Sequence, residues 1–266
     1  MRYLNFNTLA MALCCLLALS CSEPEVAPST EMSDASIRSS ETKRPNLQTS
    51  FWATVRPYSM DFPYAELTFE GFETGKTLTI NWGDGTTETY TFGEGYNGRS
   101  QVWMEHYYAS METFTISVTG DLSNIVSIIS PLTSIETLTM NFDKLTRIEE
   151  VDMPYNSIHT LDLSKNRKLK RLSGPSSTLV RNVILPNTHE LEYVSSGSPN
   201  LSTDVVSKMI ASVYKNAVTK KIYNGFFGLD TEMSPEPAFP GPPTADDMAK
   251  LIELRDVYGW TIFPNP

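Results

Sequence analysis

The chain has 266 residues and a formal net charge of −10, with 40% hydrophobic and 20% charged residues. This composition is typical of a globular protein and excludes a fibrous or wholly disordered chain. The acidic balance argues against nucleic acid or an anionic membrane surface as a partner, because both require clustered lysine and arginine. All three cysteines lie at positions 14, 15 and 21, so the rest of the chain has no thiol nucleophile, disulfide or thiolate metal site.

The N-terminus has the pattern of an export signal. Arg2 is the only charged residue among positions 1–20, and an apolar run extends from Leu9 to Leu19. This run is roughly half of the ~20 apolar residues that span a bilayer, so residues 1–20 are predicted to be a signal peptide. The residues before Cys21 resemble the lipobox of bacterial lipoproteins, which implies a lipid on Cys21 as the only attachment to a membrane. An ordinary secretory signal is the alternative.

Residues 21–50 are predicted to be a disordered tether. Between Ser22 and Ser50 there are ten Ser or Thr and three Pro residues but almost no large apolar side chain, so the segment cannot bury a core. Glu23 and Glu25 closely follow the cysteine and resemble the export signal of surface-displayed lipoproteins in Bacteroidetes-type bacteria. The resemblance implies a lipid-anchored protein of the outer membrane that faces the cell exterior.

Residues 51–120 are predicted to form an antiparallel β-sandwich, because apolar or β-branched residues alternate with polar ones between glycine and proline breaks. Asp84 and Gly85 form an Asp-Gly dipeptide, which favours a hairpin turn. The segment resembles PKD-type immunoglobulin-like domains in three motifs, namely Trp82–Thr86, His106–Tyr108 and Phe114–Ile116. The resemblance implies structural roles for Trp82, Asp84, Gly85, His106 and Tyr108.

Asp84 and His106 are candidate catalytic or metal-binding residues, since a carboxylate and an imidazole can meet across a sandwich. General acid–base chemistry needs a nucleophile or water-binding partner as well, and the sequence signals none. Asp84 is therefore expected to accept hydrogen bonds from the backbone of its own turn. His106 is expected to be a packed, hydrogen-bonded residue, and neither a cofactor nor a metal ion is predicted.

A degenerate repeat with the pattern L-x-x-L-x-L-x-x-N-x-L occupies residues 121–200. Apolar residues recur 22 positions apart, as Leu161 does with Val183. Two units of about half that length are therefore expected to make one coil of a solenoid. Asn156 and Asn166 follow the predicted strands, and their side chains are expected to bond backbone groups of the neighbouring coil.

The two modules together resemble Bacteroidetes surface proteins in which a PKD-like domain precedes leucine-rich repeats, and Leu161–Asn166 carries the clearest repeat motif. The resemblance implies a mixed, mainly β fold: a PKD-like β-sandwich followed by a short leucine-rich-repeat solenoid with an α/β C-terminal cap. The few and degenerate repeats put a repeat-borne binding activity in doubt.

Residues 201–266 are predicted to form this C-terminal cap. The expected elements are a helix capped by Ser202, a strand at 221–223, a second helix capped by Thr244 and a last strand at 260–262. Residues 233–243 are proline-rich and, by the resemblance to this family, are an insertion specific to this chain. The insertion is expected to pack along the cap, with a ligand or partner contact as the alternative.

Loops that combine aromatic and polar side chains are the expected ligand sites. The first is the loop between Gly95 and Trp103, and the second is the insertion; their candidate residues are Tyr96, Asn97, Arg99, Trp103 and Phe239. Exposed aromatic platforms would indicate a sugar ligand, but packing in the sandwich core is the expected role of Trp52, Trp103, Tyr96 and Tyr107.

The chain has no G-x-S-x-G, H-E-x-x-H or Walker motif. The expected function is therefore non-catalytic binding or adhesion to an extracellular protein or glycan. The alternative is a glycan-binding accessory lipoprotein of an outer-membrane polysaccharide capture system, and a hydrolase is a remote one. The fold alone does not determine which of these functions the chain has.

Overall fold

Strands dominate the computed structural model, which describes residues 47–57, 59, 61, 63–129, 135–153, 158–187, 190–229 and 238–266. The signal peptide, Cys21, most of the tether, Asn156 and residues 233–237 of the insertion lie outside the described residues. The fold is mainly β, with two helices near the C-terminus. Within the described part of the chain, no helix is both long and apolar enough to cross a membrane.

The first seven strands are divided between two sheets. They are β1 (Phe51–Pro57), β2 (Tyr64–Gly71), β3 (Thr77–Asn81), β4 (Thr87–Thr91), β5 (Gly93–Glu94), β6 (Ser100–Tyr107) and β7 (Phe114–Gly120). A short 3-10 turn at Leu122–Asn124 leads into β8 (Ile125–Ile129), and β9 (Ile135–Asn141) follows. One sheet has the order β4-β3-β7-β1-β9, and all its pairs are antiparallel.

The Asp-Gly hairpin predicted from the sequence is confirmed. β3 and β4 pair antiparallel on either side of it, and the Trp82 amide donates to the Thr86 carbonyl oxygen at 3.0 Å. Period-two alternation is also confirmed, since every second side chain of β1 from Phe51 is buried. The apolar positions of the sequence therefore form the interior between the sheets.

The next five strands are parallel to one another within their sheets. They are β10 (Glu150–Asp152), β11 (Thr160–Asp162), β12 (Arg171–Ser173), β13 (Asn182–Ile184) and β14 (Tyr193–Ser195). β10, β12 and β14 pair in one sheet, while β11 and β13 pair in another. Leu161 lies opposite Val183 and Leu172 lies opposite Val194, so the register joins residues 22 positions apart, as the sequence repeat predicted.

The C-terminal part has the elements α1 (Thr203–Lys220), β15 (Phe226–Gly228), α2 (Ala245–Asp256) and β16 (Thr261–Phe263). Both predicted helix caps are confirmed: the Ser202 side chain accepts from the Val205 amide, and Thr244 forms a capping box with Asp247.

The strand predicted at 221–223 is wrong. Lys221 instead ends α1 in the left-handed conformation with φ of 55°. The chain reaches the sheet only at β15, where Phe227 is fully buried beside Val194. Tyr223 is more than half exposed. Its aromatic ring favoured a strand in the sequence, but the residue does not pair in the sheet.

The second sheet runs without a break from the sandwich into the parallel strands. Its order is β16-β15-β14-β12-β10-β8-β2-β6-β5, and β8 joins the halves because it pairs antiparallel with β2 and parallel with β10. On its inner face, one row of aligned apolar residues is buried: Ile128, Val151, Leu172, Val194, Phe227 and Ile262. This continuous sheet presents one long outer face on the opposite side.

Candidate functional site

The turn between β3 and β4 is held by hydrogen bonds of its own residues. Asp84 Oδ1 accepts from the Thr86 amide at 2.9 Å, and Asn81 Oδ1 accepts from the Gly83 amide at 2.8 Å. Gly85 has φ of 100°, a conformation in which a residue with a Cβ is strained. Asp84 therefore has the backbone-binding role that its Asx position predicts.

His106 connects this turn to the aromatic residues beside it. Its Nε2 lies 2.7 Å from Asp84 Oδ2, and its ring stacks on Trp82 with centroids 5.0 Å apart. The Trp82 indole nitrogen donates to Glu88 at 2.8 Å. Tyr108 packs edge-on against His106, and its hydroxyl donates to the Trp82 carbonyl oxygen at 2.9 Å. The five motif residues of this segment thus form one cluster.

The electrostatics of the cluster favour an ionised Asp84. Burial raises the pKa of the Asp84 carboxyl, but hydrogen bonds from the Thr86 backbone and from His106 outweigh it and leave the pKa below its ordinary value. Burial, with a smaller effect of the Asp84 charge, raises the pKa of Tyr108 above its ordinary value. Asp84 bonds His106 and the Thr86 backbone, and Tyr108 bonds the Trp82 backbone, an arrangement that secures the turn.

No metal centre is formed by the residues that the structure describes, since no group of three or more His, Cys, Asp or Glu side chains is placed to hold an ion.

Asn166 has the geometry expected of a repeat asparagine. Its Nδ2 donates to the carbonyl oxygens of Phe142 and Leu145, each at 3.0 Å. These carbonyls lie 24 and 21 positions earlier in the chain, so the side chain joins two backbone segments that are distant in sequence.

The loop between β5 and β6 is a tight turn that projects an aromatic ring. The Gly95 amide donates to the Arg99 carbonyl oxygen, and the Arg99 amide donates to that of Tyr96. Asn97 adopts φ of 55°, which asparagine tolerates better than most residues. Tyr96 is 78% exposed at the tip, so its predicted packing in the core is wrong.

Arg99 is bound within the protein. Its guanidinium lies 2.6 Å from Glu70 on β2 and 3.4 Å from Glu150 on β10. Burial lowers the pKa of Arg99, but the two carboxylates outweigh it and raise the pKa above its ordinary value. The side chain therefore links the sandwich to the parallel strands, which differs from the free ligand contact expected from the sequence. Beside it lies a cleft of about 450 Å³ lined by Glu70, Asn97, Arg99, Ile129, Glu150 and Asp152.

Strand β6 carries exposed aromatic side chains on the outer face of the sheet. Trp103 is 57% exposed and Tyr107 is 67% exposed, while Val102 and Met104, on either side of Trp103, face the core. Their predicted core packing is wrong because the strand alternates, and the buried face is the one with the aliphatic residues. Trp52 on β1 is partly buried.

Tyr64 on β2 extends this aromatic surface, and the sequence reasoning missed it. Its ring lies 5.0 Å from that of Tyr107, and its hydroxyl donates to Glu66 at 2.8 Å. Burial and Glu66 raise the pKa of Tyr64 above its ordinary value. Glu66 and Glu105 have no ion-pair partner among the described residues, which leaves acceptor oxygens beside the rings. The alternation of β2, with Ala65 and Leu67 buried, was the signal that placed Tyr64 and Glu66 together outside.

Phe239 is not brought to this face. It is partly buried against the hydrophobic core, and the neighbouring Gly241 lies so close to the start of α1 that a Cβ there would stand 2.4 Å from the Thr203 nitrogen. The described residues of the insertion therefore pack along the cap, and Phe239 is not the exposed ligand contact considered from the sequence.

Comparison with protein-family models, with curated proteins and with solved structures found no match. Functional inference for this chain therefore depends on the geometry of its own side chains.

Proposed function

We propose that this chain is a non-catalytic, lipid-anchored binding protein of the outer membrane that faces the cell exterior and binds a glycan on the outer face of β2 and β6. The proposal includes a PKD-like sandwich, a degenerate leucine-rich-repeat solenoid and an α/β cap. The Asp84–His106 cluster supports the first assignment, and the 22-residue register supports the second. The signal-like N-terminus and Cys21 support the anchor.

The observation that carries the binding function is a group of three rings on one face of the sheet: Trp103 and Tyr107 are exposed, and Tyr64 is partly buried beside Tyr107. Large aromatic side chains are normally buried, and a cluster of them in solvent marks an interaction surface. Their π faces are electron-rich, so they attract the polarised C–H bonds on one face of a sugar ring. The partly fixed rings also lose little conformational freedom when a ligand binds.

Carboxylates between the rings suit hydroxyl groups. Glu66 and Glu105 accept hydrogen bonds only, so they select ligands that donate. Glu66 accepts from the Tyr64 hydroxyl at 2.8 Å, while Glu105 lies 3.4 Å from the same hydroxyl and retains further lone pairs. A glycan offers many donors and flat apolar ring faces together, which matches this alternation of rings and carboxylates.

Glycan arrays probed with the full chain test the proposal. We expect binding to at least one glycan, weakened roughly tenfold or more in Trp103→Ala and in Tyr107→Ala, which corresponds to about 1.4 kcal/mol or more. Tyr223→Ala is the matched control, because Tyr223 is also an exposed tyrosine but lies after α1. Absence of glycan binding, or equal affinity of all four proteins, would overturn the proposal, and binding only to extracellular proteins would assign the adhesion function instead.

A further inference from the structure

The outer face of the nine-stranded sheet continues from Trp103 across eight strands. Strand register aligns one outward-facing residue from each, and this row consists of Trp103, Thr68, Ile129, Asp152, Ser173, Ser195, Gly228 and Phe263. We call it the track. Its ends are aromatic and exposed, with Trp103 at 57% and Phe263 at 41%. Its middle positions are mostly small, so the sheet surface is low from Asp152 to Ser195, whereas Thr68 is buried and the Phe226 ring lies over Gly228.

A wall of longer side chains runs beside the track. It is the next aligned row, whose long members are Glu70, Glu150, Arg171, Tyr193 and Phe226. These side chains support one another: Arg171 bonds Glu150 at 3.4 Å and lies over the Tyr193 ring at 4.3 Å, and Tyr193 stacks on Phe226 at 4.9 Å. The wall is therefore held in place before any ligand arrives, which lowers the entropic cost of binding.

An unpaired hydroxyl at the base of this wall points independently to a ligand. Ser127 lies in register between Glu70 and Glu150, beneath the ion pairs of Arg99, and its side chain is fully buried. Its Oγ has no hydrogen-bond partner among the residues that the structure describes. Buried polar groups are nearly always paired, so this one calls for a partner that the protein does not supply. Glu70, Arg99 and Glu150, which surround Ser127, line a cleft of about 450 Å³ together with Ile129 and Asp152 of the track.

The charge of the face decides the class of ligand. Glu66, Glu70, Glu105, Glu150 and Asp152 oppose the two guanidinium groups of Arg99 and Arg171, so the face carries an excess of negative charge. An anionic polymer would be repelled. Arg99 and Arg171 are already paired with carboxylates. Asp152, Glu66 and Glu105 have no cationic partner among the described residues. An uncharged chain of hydroxyl donors fits these acceptors.

We infer that the track binds an extended, linear, uncharged polysaccharide that crosses the strands from Trp103 to Phe263, with a ligand hydroxyl pairing with Ser127 when the Arg99 side chain turns aside. The inference rests on the proposed glycan-binding function and names its ligand class. Seven inter-strand steps of about 4.8 Å make the track roughly 34 Å long, enough for several sugar units in a row. Branches would meet the wall, so an unbranched chain is selected.

The test is a length series with the full chain purified in detergent. The probes are β-1,4-linked gluco-, manno- and xylo-oligosaccharides from disaccharide to hexasaccharide, with oligogalacturonate as the anionic comparison, measured by calorimetry. We expect affinity for one neutral series to rise with length. Ser173→Phe, which places a ring in the middle of the track, should remove that rise and weaken hexasaccharide binding roughly tenfold or more while leaving the disaccharide unchanged. Ser195→Phe should do the same.

Two further variants separate ligand contacts from folding. Ser127→Ala removes an unpaired hydroxyl, so thermal stability should be unchanged or higher while hexasaccharide affinity falls. Thr160→Phe is the control, since Thr160 is exposed on β11, outside the nine-stranded sheet, and its affinities should equal those of the wild type.

Each outcome decides between the two proposals. Trp103-dependent binding without any gain in affinity beyond the disaccharide, or Ser173→Phe and Ser127→Ala variants that bind the hexasaccharide like the wild type, would refute the track and leave the proposed function standing. No binding to any saccharide would refute both. Tighter binding of oligogalacturonate than of the neutral series would overturn the charge argument and with it the ligand class.

Discussion

Leu161→Ala should be strongly destabilising because of where β11 places this side chain. Leu161 is fully buried and lies in register with Val183, whereas Thr160 and Asp162 on either side are exposed. The substitution removes three carbon atoms, worth about 0.8 kcal/mol each, or roughly 2.4 kcal/mol of transfer free energy. The cavity left between the parallel strands adds to this, so the free energy of unfolding should fall by about 2–5 kcal/mol.

Urea unfolding followed by circular dichroism measures this loss. Thr160→Ala is the matched control on the same strand, and it should change the free energy of unfolding by no more than about 0.5 kcal/mol. Leu161→Met keeps the volume and should cost less than about 1.5 kcal/mol. Equal shifts of the unfolding midpoint for Leu161→Ala and Thr160→Ala would show that the register of β11 is not the one described, and the reasoning from strand alternation would fail.

Three other substitutions test separate features. Asn166→Ala leaves the carbonyl oxygens of Phe142 and Leu145 without their donor, so it should cost about 2–4 kcal/mol in the same unfolding experiment, and a change below 1 kcal/mol would contradict a bridging role. Asp84→Asn tests whether the ionised carboxylate of Asp84 stabilises the fold. Because folding lowers the pKa of Asp84, this stabilisation is present above the ordinary pKa of 3.8 and is lost as the pH falls through the folded-state pKa. The Tm of the variant should therefore lie clearly below that of the wild type at about pH 7, and the difference should shrink at about pH 2. A deficit that is the same at both pH values would contradict the linkage. Cys21→Ala should release the protein from membranes or block its processing, and a normally processed variant that stays in the membrane fraction would refute lipidation.

Local signals predicted most of the individual elements. The Asp84-Gly85 dipeptide marked the β3–β4 hairpin, and Ser202 and Thr244 marked the starts of both helices. These succeeded because turns and caps depend on residues within a few positions of one another. The strand expected at 221–223 failed for the complementary reason, since a short segment such as Lys221–Tyr223 becomes a strand only where a sheet edge is available to pair with it.

The candidate site was harder to predict than the elements that carry it. Alternation along β6 showed two faces, but it did not show that Trp103 belongs to the exposed one. The partners of Arg99 are 29 and 51 positions away in the chain, and no local pattern links a loop arginine to Glu70 and Glu150. The sequence around a loop arginine therefore does not distinguish an arginine that binds a ligand from one that pairs with carboxylates of the same protein.

By itself, the sequence determined the mainly β class, the turn at Asp84, the helix caps and the 22-residue register, because each follows from spacing and from bonds between near neighbours. Only the tertiary structure decided that β8 pairs with both β2 and β10, which makes the sandwich and the parallel strands share one sheet. That pairing aligns Trp103 with Phe263 across strands more than 150 positions apart in the chain. Such alignment depends on long-range hydrogen bonds between backbones, whose partners are not written in the side-chain pattern of either strand.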